Sequence, residues 1–276
     1  MSKSIIQKNL SCVIPSIGNK KLIATLIRLL SGTYIPAEVI ISLPPKKKIS
    51  LAKFNYNTKI RVINGKIKGQ VPQRIFGIKK ARYNLILQSD DDIYFEKNTL
   101  EKLINSYERL NKKSMVAPLM IYNSVKINLF KLETNKHQCG NIDRFGNAHY
   151  IKNCCLGKKI IKTNWLPGGC LLSEKKNFII KNFFPFKGKA YNEDLIDSFL
   201  RNKKKISHFV ITNSKIYLKK NYDPDINTLE VLKYIKTKSY YFKLSNRKTD
   251  IFFYLSCFKI IIGSIIKPIL KFIKVR

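Results

Sequence analysis

Acidic residues are scarce in this chain of 276 residues: 17 Asp and Glu stand against 53 Lys and Arg, and the formal net charge is +36. Glycine and proline are also few, at 12 and 10 residues, which excludes a collagen-like chain. The six cysteines form no CxxC pair and no regular spacing, so the sequence shows no disulfide framework. No uninterrupted apolar run reaches the ~18 to 20 residues that a membrane-spanning helix needs.

Apolar residues, in contrast, are abundant. They make up 45% of the chain, and aromatic residues make up 11%, which supplies a sizeable core and argues against intrinsic disorder. The length fits one large domain or two small ones. The first 20 residues contain Pro15, Gly18 and several polar residues, so we identify no secretory signal and expect a cytoplasmic protein.

The basic excess first suggests nucleic acid as a partner, because Lys and Arg gain affinity when they neutralise phosphates. The cations are 44 Lys and 9 Arg, however, whereas Arg makes most bidentate contacts to phosphates and bases. The lysines also run along the entire chain. We therefore expect no nucleic-acid partner and interpret most of the charge as a solvated lysine surface, with nucleic-acid binding as the lesser alternative.

A zinc site is a further possibility that the sequence raises. Five candidate ligands lie close together in the chain: His137, Cys139, His149, Cys154 and Cys155. Their spacing matches no zinc motif, and free cysteines are commonly buried as small hydrophobic residues. We expect buried cysteines here rather than a metal site.

Strand and helix patterns alternate in the N-terminal third. The patterns predict strands at 10–14, 38–43, 59–63 and 84–88, with helices at about 22–30 and 72–82. Further along, they predict a helix at 98–110, a strand at 116–122 and a helix at 192–200. Such repeated units imply an α/β protein with a mostly parallel central sheet flanked by helices, and with ligands at the carboxyl ends of its strands.

Six of the 17 acidic residues lie in two short clusters. Asp90, Asp91 and Asp92 directly follow the fourth predicted strand, where they would repel one another unless a cation or a solvated turn compensates. A hard divalent metal held by one or two carboxylates and substrate phosphates fits this position, and an N-cap for the next helix is the alternative. The second cluster is Glu193, Asp194 and Asp197, at the start of a predicted helix, where a carboxylate could accept a proton from a hydroxyl or cap the helix.

Four motifs occur in an order and at separations that resemble a known family. They are CVIPSIG at 12–18, GQVPQRIFGIKKARYNLILQSDDDI at 69–93, WLPGG at 165–169 and YNED at 191–194. Together they resemble the glycosyltransferases of family 2, over about the first 220 residues. The resemblance implies the Rossmann-like GT-A fold, Mn²⁺ or Mg²⁺ as cofactor, and inverting transfer of a sugar from a nucleotide-sugar donor.

The resemblance also implies a role for each matching position. It assigns metal binding to the outer aspartates of the DxD motif, Asp90 and Asp92. Contacts to the nucleotide sugar fall to the loop after the first strand, the second helix and the aspartate run, at Pro15, Ser16, Arg74, Gly77, Asp90 and Asp91. An acceptor-side turn falls to Trp165, Gly168 and Gly169, and the catalytic base to Asp194, with Glu193 beside it.

Three positions depart from the family pattern. Ser42 stands where the second strand usually ends on an aspartate that contacts the base, and Ile75 stands where Asn usually follows the arginine. The stretch 216–220 lacks the histidine that often contacts metal or phosphate. These departures keep open a second class of function, a catalytically inactive binding module with the same fold.

The predicted transferase domain spans 1–225, and a basic helical tail spans 226–276. From 251 onward the tail is apolar with four lysines and no acid, and Lys259, Lys267 and Lys271 share one face of a helix. This amphipathic pattern predicts binding to an anionic membrane surface, and packing on the domain's own core is the alternative. We therefore expect a peripheral protein on the inner face of the cell membrane. We expect it to act on a glycan or lipid-linked acceptor in cell-surface polysaccharide or lipopolysaccharide synthesis.

Overall fold

A computed structural model describes residues 5–51, 57–123, 140–149, 157–219 and 228–247, and all of 249–263 except 250, 252, 256 and 259. Four of the candidate zinc ligands, at 137, 139, 154 and 155, lie outside these residues, as do the four lysines that follow position 251. Within them the elements are β1 (Ile6–Pro15), α1 (Lys21–Leu30), β2 (Tyr34–Leu43), β3 (Lys59–Asn64), α2 (Gln70–Lys80), β4 (Leu85–Ser89), β5 (Ile93–Phe95), α3 (Thr99–Glu108), β6 (Ser114–Asn123), β7 (Ile160–Thr163), β8 (Cys170–Glu174), α4 (Glu193–Lys203), β9 (Ser207–Lys219) and α5 (Thr228–Leu244).

All these strands join one sheet, in the spatial order β3-β2-β1-β4-β8-β6-β9-β5, with β7 paired to β9. Strands β1 to β4 pair in parallel, as the alternating patterns predicted. Beyond β4 the sheet is mixed, because β8 returns antiparallel to both β4 and β6, and β9 runs parallel to β6 but antiparallel to β5 and β7. The predicted α/β fold with a central sheet flanked by helices is confirmed, and its parallel pairs are those of β1 to β4 and the pair of β6 with β9.

Alternate residues of β1 enter cores on the two faces of the sheet. Cys12 and Ile14 pack with residues of α1 and α3 in one cluster, whereas Val13 packs with Ile78 of α2 in another. Because side chains alternate across a strand, one apolar run supplies both cores. The sheet is therefore covered on both faces, and the carboxyl ends of its parallel strands are left as the place for a site.

A third core cluster joins the C-terminal helix to the rest of the fold. Tyr241 and Phe242 of α5 are 2% and 1% exposed, and they pack in a cluster that also contains Val71 and Ile75 of α2. The predicted boundary at 225 assigns α5 to the tail, and the structure packs α5 in the same core cluster as α2. Its apolar face meets protein, and the sequence pattern could not distinguish that from lipid.

Helical residues continue after α5 within 251–263. One side of this stretch packs inward through Phe253 and Cys257, which belong to the third cluster. The other side leaves large apolar side chains exposed, at Ile251, Tyr254, Leu255, Phe258 and Ile261. In the part of the chain that the structure covers, no helix is both long enough and apolar enough to cross a bilayer.

Candidate active site

A cleft of about 760 Å³ opens at the carboxyl ends of β1 and β4. Its walls come from the loop after β1, the start of α2, the aspartate run after β4, the turn before β8, the segment from 188 to 194, and α5. Strand β1 lies between β2 and β4, so the strand order reverses here. Open α/β sheets bind their ligands at such a reversal.

The cleft brings together most of the residues that the sequence singled out. Those lining it are Pro15, Ser16, Arg74, Asp90, Asp91, Asp92, Gly168, Gly169, Glu193 and Asp194. Gly77 and Trp165 do not line it. The two acid clusters lie about 100 residues apart in the chain, and folding places them in one cavity.

Gly77 and Trp165 support the site from behind. A Cβ on Gly77 would collide with Cγ1 of Val13, so this glycine lets α2 pack close to β1. Trp165 is 2% exposed, and its indole Nε1 donates a hydrogen bond to the carbonyl oxygen of His149 at 3.3 Å. Trp165 is therefore buried and does not line the cleft, and its acceptor role stays a prediction.

The glycines of the same turn do face the cleft. The Asp90 amide donates to the carbonyl oxygen of Gly169 at 2.7 Å, and the Gln88 side chain donates to that of Gly168 at 2.5 Å. A Cβ on Gly168 would lie 2.6 Å from Oε1 of Glu193. Both glycines therefore let backbone approach the acidic groups where any side chain would intrude.

Asp91 and Asp92 have different partners. Asp91 accepts hydrogen bonds from the Ser16 hydroxyl and from Nδ2 of Asn19, the latter at 3.0 Å. Asp92 lies 3.5 Å from Nζ of Lys21, in a pair whose side chains are 37% and 58% exposed. Burial, and then the charges of neighbouring aspartates, raise the pKa of both carboxyls. Asp91 is thus committed to holding the loop after β1, whereas the Asp92 pair is open enough to exchange partners.

These donors fit a divalent cation only if a substrate completes its coordination. Among the residues that the structure describes, no group of three His, Cys, Asp or Glu side chains is arranged to hold a metal ion. Asp90 and Asp92 both line the cleft, and oxygen ligands from one or two carboxylates plus substrate phosphates suffice for Mg²⁺. Mn²⁺ favours the same oxygen donors.

Arg74 joins the two acid clusters. It is 4% exposed, its Nη2 donates to Oδ1 of Asp90 at 2.7 Å, and its Nη1 donates to Oε1 of Glu193. Burial opposes its charge, but the charges of Glu193 and Asp90 outweigh burial and raise the pKa of Arg74. Gln70, one helical turn earlier on α2, also donates to Asp90, at 3.2 Å. The clusters that the sequence presented separately are one hydrogen-bonded network.

Asp194 is the carboxyl best suited to proton transfer. Asn192 begins the turn in a left-handed conformation, with φ of 52°, and Glu193 and Asp194 open α4 directly after it. Glu193 is held by Arg74, whereas Asp194 lines the cleft and accepts a hydrogen bond from the amide of Leu195 at 3.0 Å. Burial and the charge of Glu193 raise the pKa of Asp194 to about 7. A carboxyl that titrates near neutral pH can act as a general base.

Gln73 is a site residue that the sequence did not reveal. It is 2% exposed, and its Nε2 donates to the carbonyl oxygens of Ser16 at 2.9 Å and Ser42 at 2.6 Å. Its Oε1 accepts a hydrogen bond from the Gly69 amide at 3.1 Å. One buried amide thus fixes the ends of β1 and β2 and the entry to α2. The only sequence signal for it is a polar residue on the buried side of a helix.

The departures from the family pattern have structural explanations in two cases. Ser42 is fully buried, and its backbone carbonyl oxygen accepts the hydrogen bond from Gln73. Ile75 is 9% exposed and packs in the third core cluster, where Asn would place a polar amide among apolar side chains. Among the cleft-lining residues that the structure describes, no histidine occurs.

Comparison with known proteins agrees with this geometry. Residues 11–163 match the family described as Glycosyl transferase family 2. That match covers more than half of the chain, so the chain belongs to this family. The resemblance inferred from the four motifs is thereby confirmed. No curated protein matches the chain.

Two solved structures are similar to this chain, and the likeness to GalNAc-T7 supports a shared architecture. GalNAc-T7, crystallised with UDP, GalNAc and Mn²⁺, has 12% sequence identity and a TM-score of 0.58, over 85% of this chain and 48% of that chain. Staphylococcus aureus TarS, residues 1–349, has 12% identity and a TM-score of 0.44, over 85% of this chain and 65% of that one. The chain thus spans about half the length of the GalNAc-T7 chain, and at this identity the likeness supports the GT-A fold alone.

Proposed function

We propose that this protein is an inverting glycosyltransferase that moves a sugar from a nucleotide-sugar donor to a hydroxyl of a glycan or lipid-linked acceptor with the help of Mn²⁺ or Mg²⁺. One observation carries the proposal. A carboxyl whose pKa is raised to about 7, Asp194, shares a cleft with the aspartate run, and Arg74 joins Asp90 of that run to Glu193, the chain neighbour of Asp194. Membership of glycosyl transferase family 2 supports the reaction class.

On the donor side, the leaving nucleoside diphosphate carries charge that must be neutralised. Asp92 and Asp90 would hold the divalent metal, which supplies positive charge to the diphosphate. Ser16 holds Asp91, and Gln73 holds the backbone of Ser16, so the loop that would contact the nucleotide is fixed before binding. The neighbouring structure of GalNAc-T7 contains UDP and Mn²⁺, which supports this class of donor and metal.

On the acceptor side, Asp194 would take the proton of the attacking hydroxyl. A base must lie within about 2.6–3.2 Å of the oxygen that it deprotonates, so the hydroxyl must enter the cleft beside the first turn of α4. Gly168 and Gly169 leave room there, because neither places a side chain over the acids. Glu193 is committed to Arg74 and serves to position the network.

Thermal unfolding with a panel of nucleoside diphosphates, with and without Mn²⁺, tests the donor side. At a ligand concentration 100 times Kd we expect stabilisation by about 2.7 kcal/mol, larger with the metal than without it. Asp92→Ala should abolish the metal-dependent part. Glu108→Ala, an exposed acid at the end of α3, is the matched control and should keep it. The proposal fails if no nucleoside diphosphate raises the unfolding temperature of the wild-type protein.

A catalytically inactive binding module is the second candidate, and Ser42 favours it, because no carboxylate ends β2 to contact a base. Slow hydrolysis of a nucleotide sugar by the wild-type protein separates the two candidates. Hydrolysis that disappears in Asp92→Ala identifies an enzyme. A protein that binds nucleoside diphosphates with Mn²⁺ but hydrolyses none of a panel of donors and transfers no sugar is the inactive module.

We also propose that the helical stretch 251–263 rests on the anionic inner face of the cell membrane, near acceptors for cell-surface polysaccharide or lipopolysaccharide synthesis. Tyr254, Leu255 and Phe258 are 61%, 51% and 59% exposed on one side of this stretch, a large apolar surface in a strongly basic chain. Phe258→Glu should weaken sedimentation with phosphatidylglycerol vesicles. Val62→Glu, an exposed apolar position on β3, is the control. Equal sedimentation of both variants would contradict the proposal.

A further inference from the structure

Beside Asp194 the cleft has an aromatic wall that none of the assigned roles explains. Tyr191 and Tyr234 both line the cleft, their ring centroids lie 6.1 Å apart, and their planes meet at 64°. Tyr191 comes from the segment before α4, and Tyr234 comes from α5. We call this pair the tyrosine shelf.

The shelf and the base are held together by one residue. Nδ2 of Asn192, next to Asp194 in the turn, donates to the carbonyl oxygen of Tyr234 at 3.3 Å and to Oγ1 of Thr237 at 3.2 Å. Asn192 has a positive φ of 52°, a conformation that Asn tolerates better than most residues. The position of α5, and with it one ring of the shelf, is therefore set from the same turn that sets the base.

A lysine ammonium group also lies near each ring. Nζ of Lys189 lies 5.0 Å from the centroid of the Tyr191 ring, and Nζ of Lys238 lies 5.8 Å from that of Tyr234. Lys238 is fully buried, and its Nζ donates to Oδ1 of Asn147 at 3.0 Å. The Tyr234 ring thus has a buried neighbour that fixes it from α5 itself, and the shelf is preorganised.

The cleft that contains the shelf is also polar. Asp194, Asn192, Gly168 and Gly169 line it together with the two tyrosines. An acyl chain would cover the rings but leave these polar groups without partners, at a cost for each. A sugar ring has an apolar C–H face and a polar edge, so it satisfies both sides at once.

We propose that the tyrosine shelf binds a sugar ring of the acceptor, so that the group glycosylated by this protein is itself a saccharide. The inference rests on the proposed function and narrows its acceptor. Because the two planes meet at 64°, the sugar ring stacks on one tyrosine, contacts the edge of the other and presents a hydroxyl to Asp194. The C-terminal helix α5 therefore determines acceptor choice, although it follows the motif-bearing part of the chain.

Saturation-transfer NMR with the methyl β-glycosides of glucose, galactose and N-acetylglucosamine as probes tests the shelf without a turnover assay. We expect at least one glycoside to bind the wild-type protein and to bind Tyr234→Ala at least about tenfold more weakly. Tyr191→Ala should weaken glycoside binding to the same extent. Because Tyr191 lies in a loop, this variant tests the shelf even if Tyr234→Ala does not fold. Tyr240→Ala is the matched control, because Tyr240 lies on α5 but packs on Phe184 outside the cleft.

Two results would overturn the inference: no glycoside binding to the wild-type protein, or binding that is equal in the wild type and both shelf variants. A nucleoside diphosphate with Mn²⁺ is measured on the same samples by thermal unfolding. If the nucleoside diphosphate does not raise the unfolding temperature of the wild-type protein, the proposed function is contradicted. The glycoside-binding measurement, in contrast, tests the tyrosine shelf. The nucleotide response of each shelf variant shows whether its fold and donor side are intact, so that a loss of glycoside binding alone is assigned to the shelf.

Discussion

Replacing Arg74 with Met should destabilise the protein in a pH-dependent way. The side chains of Arg74 and Glu193 are 5% and 10% exposed, so their ion pair is shielded from water. Removing one partner of such a pair leaves a buried charge uncompensated, at a cost of about 3–5 kcal/mol. At about 2 °C per kcal/mol for a domain of this size, the unfolding temperature should fall by roughly 6–10 °C near pH 8.

The sign of the pH dependence follows from Glu193. Burial already raises the pKa of Glu193, and Arg74 is the group that acts most strongly against that rise. In Arg74→Met the carboxyl therefore holds a proton more tightly in the folded state than in the unfolded state, and the folded state is favoured at low pH. The stability gap between variant and wild type should shrink as the pH is lowered from about 8 to about 5, because a lower pH favours the protonated carboxyl of Glu193 that the variant stabilises.

Urea unfolding followed by circular dichroism at both pH values measures this gap. Glu193→Gln combined with Arg74→Met should recover much of the loss at pH 8, because both charges are then gone. Arg82→Met is the control, since Arg82 is 57% exposed and lies 3.7 Å from Glu38, and it should cost at most about 1 kcal/mol. An Arg74→Met protein as stable as the wild type at pH 8, or a double variant that recovers nothing, would refute the reasoning.

Three further outcomes are expected. The rate of sugar transfer by the wild-type protein, measured with a nucleotide-sugar donor across pH, should rise through about pH 7 as Asp194 loses its proton. Asp194→Asn should lower that rate by about 100- to 10,000-fold and remove its rise with pH. Gly77→Ala should cost about 1–3 kcal/mol in urea unfolding because its Cβ meets Val13, whereas Gly157→Ala, with open space around it, should cost less. Isothermal titration with Mn²⁺ and a nucleoside diphosphate should show weaker binding for Asp92→Asn, and equal affinity would remove Asp92 from the metal site.

Periodicity predicted the parallel half of the sheet well and the rest less well. The strands predicted at 10–14 and 38–43 are both found and both begin earlier, at Ile6 and Tyr34, because pairing continues past the apolar run. Strands β5 and β7 have three and four residues, too few to show a period. Their existence depends on pairing with β9, a long-range contact that no local pattern encodes.

Within the site, motifs predicted which segments meet but not how each side chain points. The WLPGG turn lies at the cleft as expected, yet Trp165 turns into the core and only Pro167, Gly168 and Gly169 face the cavity. Tyr234 carried no signal, because nothing in the sequence links a tyrosine in a lysine-rich helix to an acid about 40 residues earlier. Packing against α4 makes that link.

The late position of α5 has a consequence for synthesis. Val71 and Ile75 of α2 belong to the same core cluster as Tyr241 and Phe242, which leave the ribosome 25 residues or fewer after the end of β9 at Lys219. At about 5–20 residues per second, this cluster lacks its α5 residues for roughly one to five seconds after the sheet is complete. During that interval the nascent chain has a complete sheet, an incomplete cleft and exposed apolar surface, and chaperones bind such surfaces.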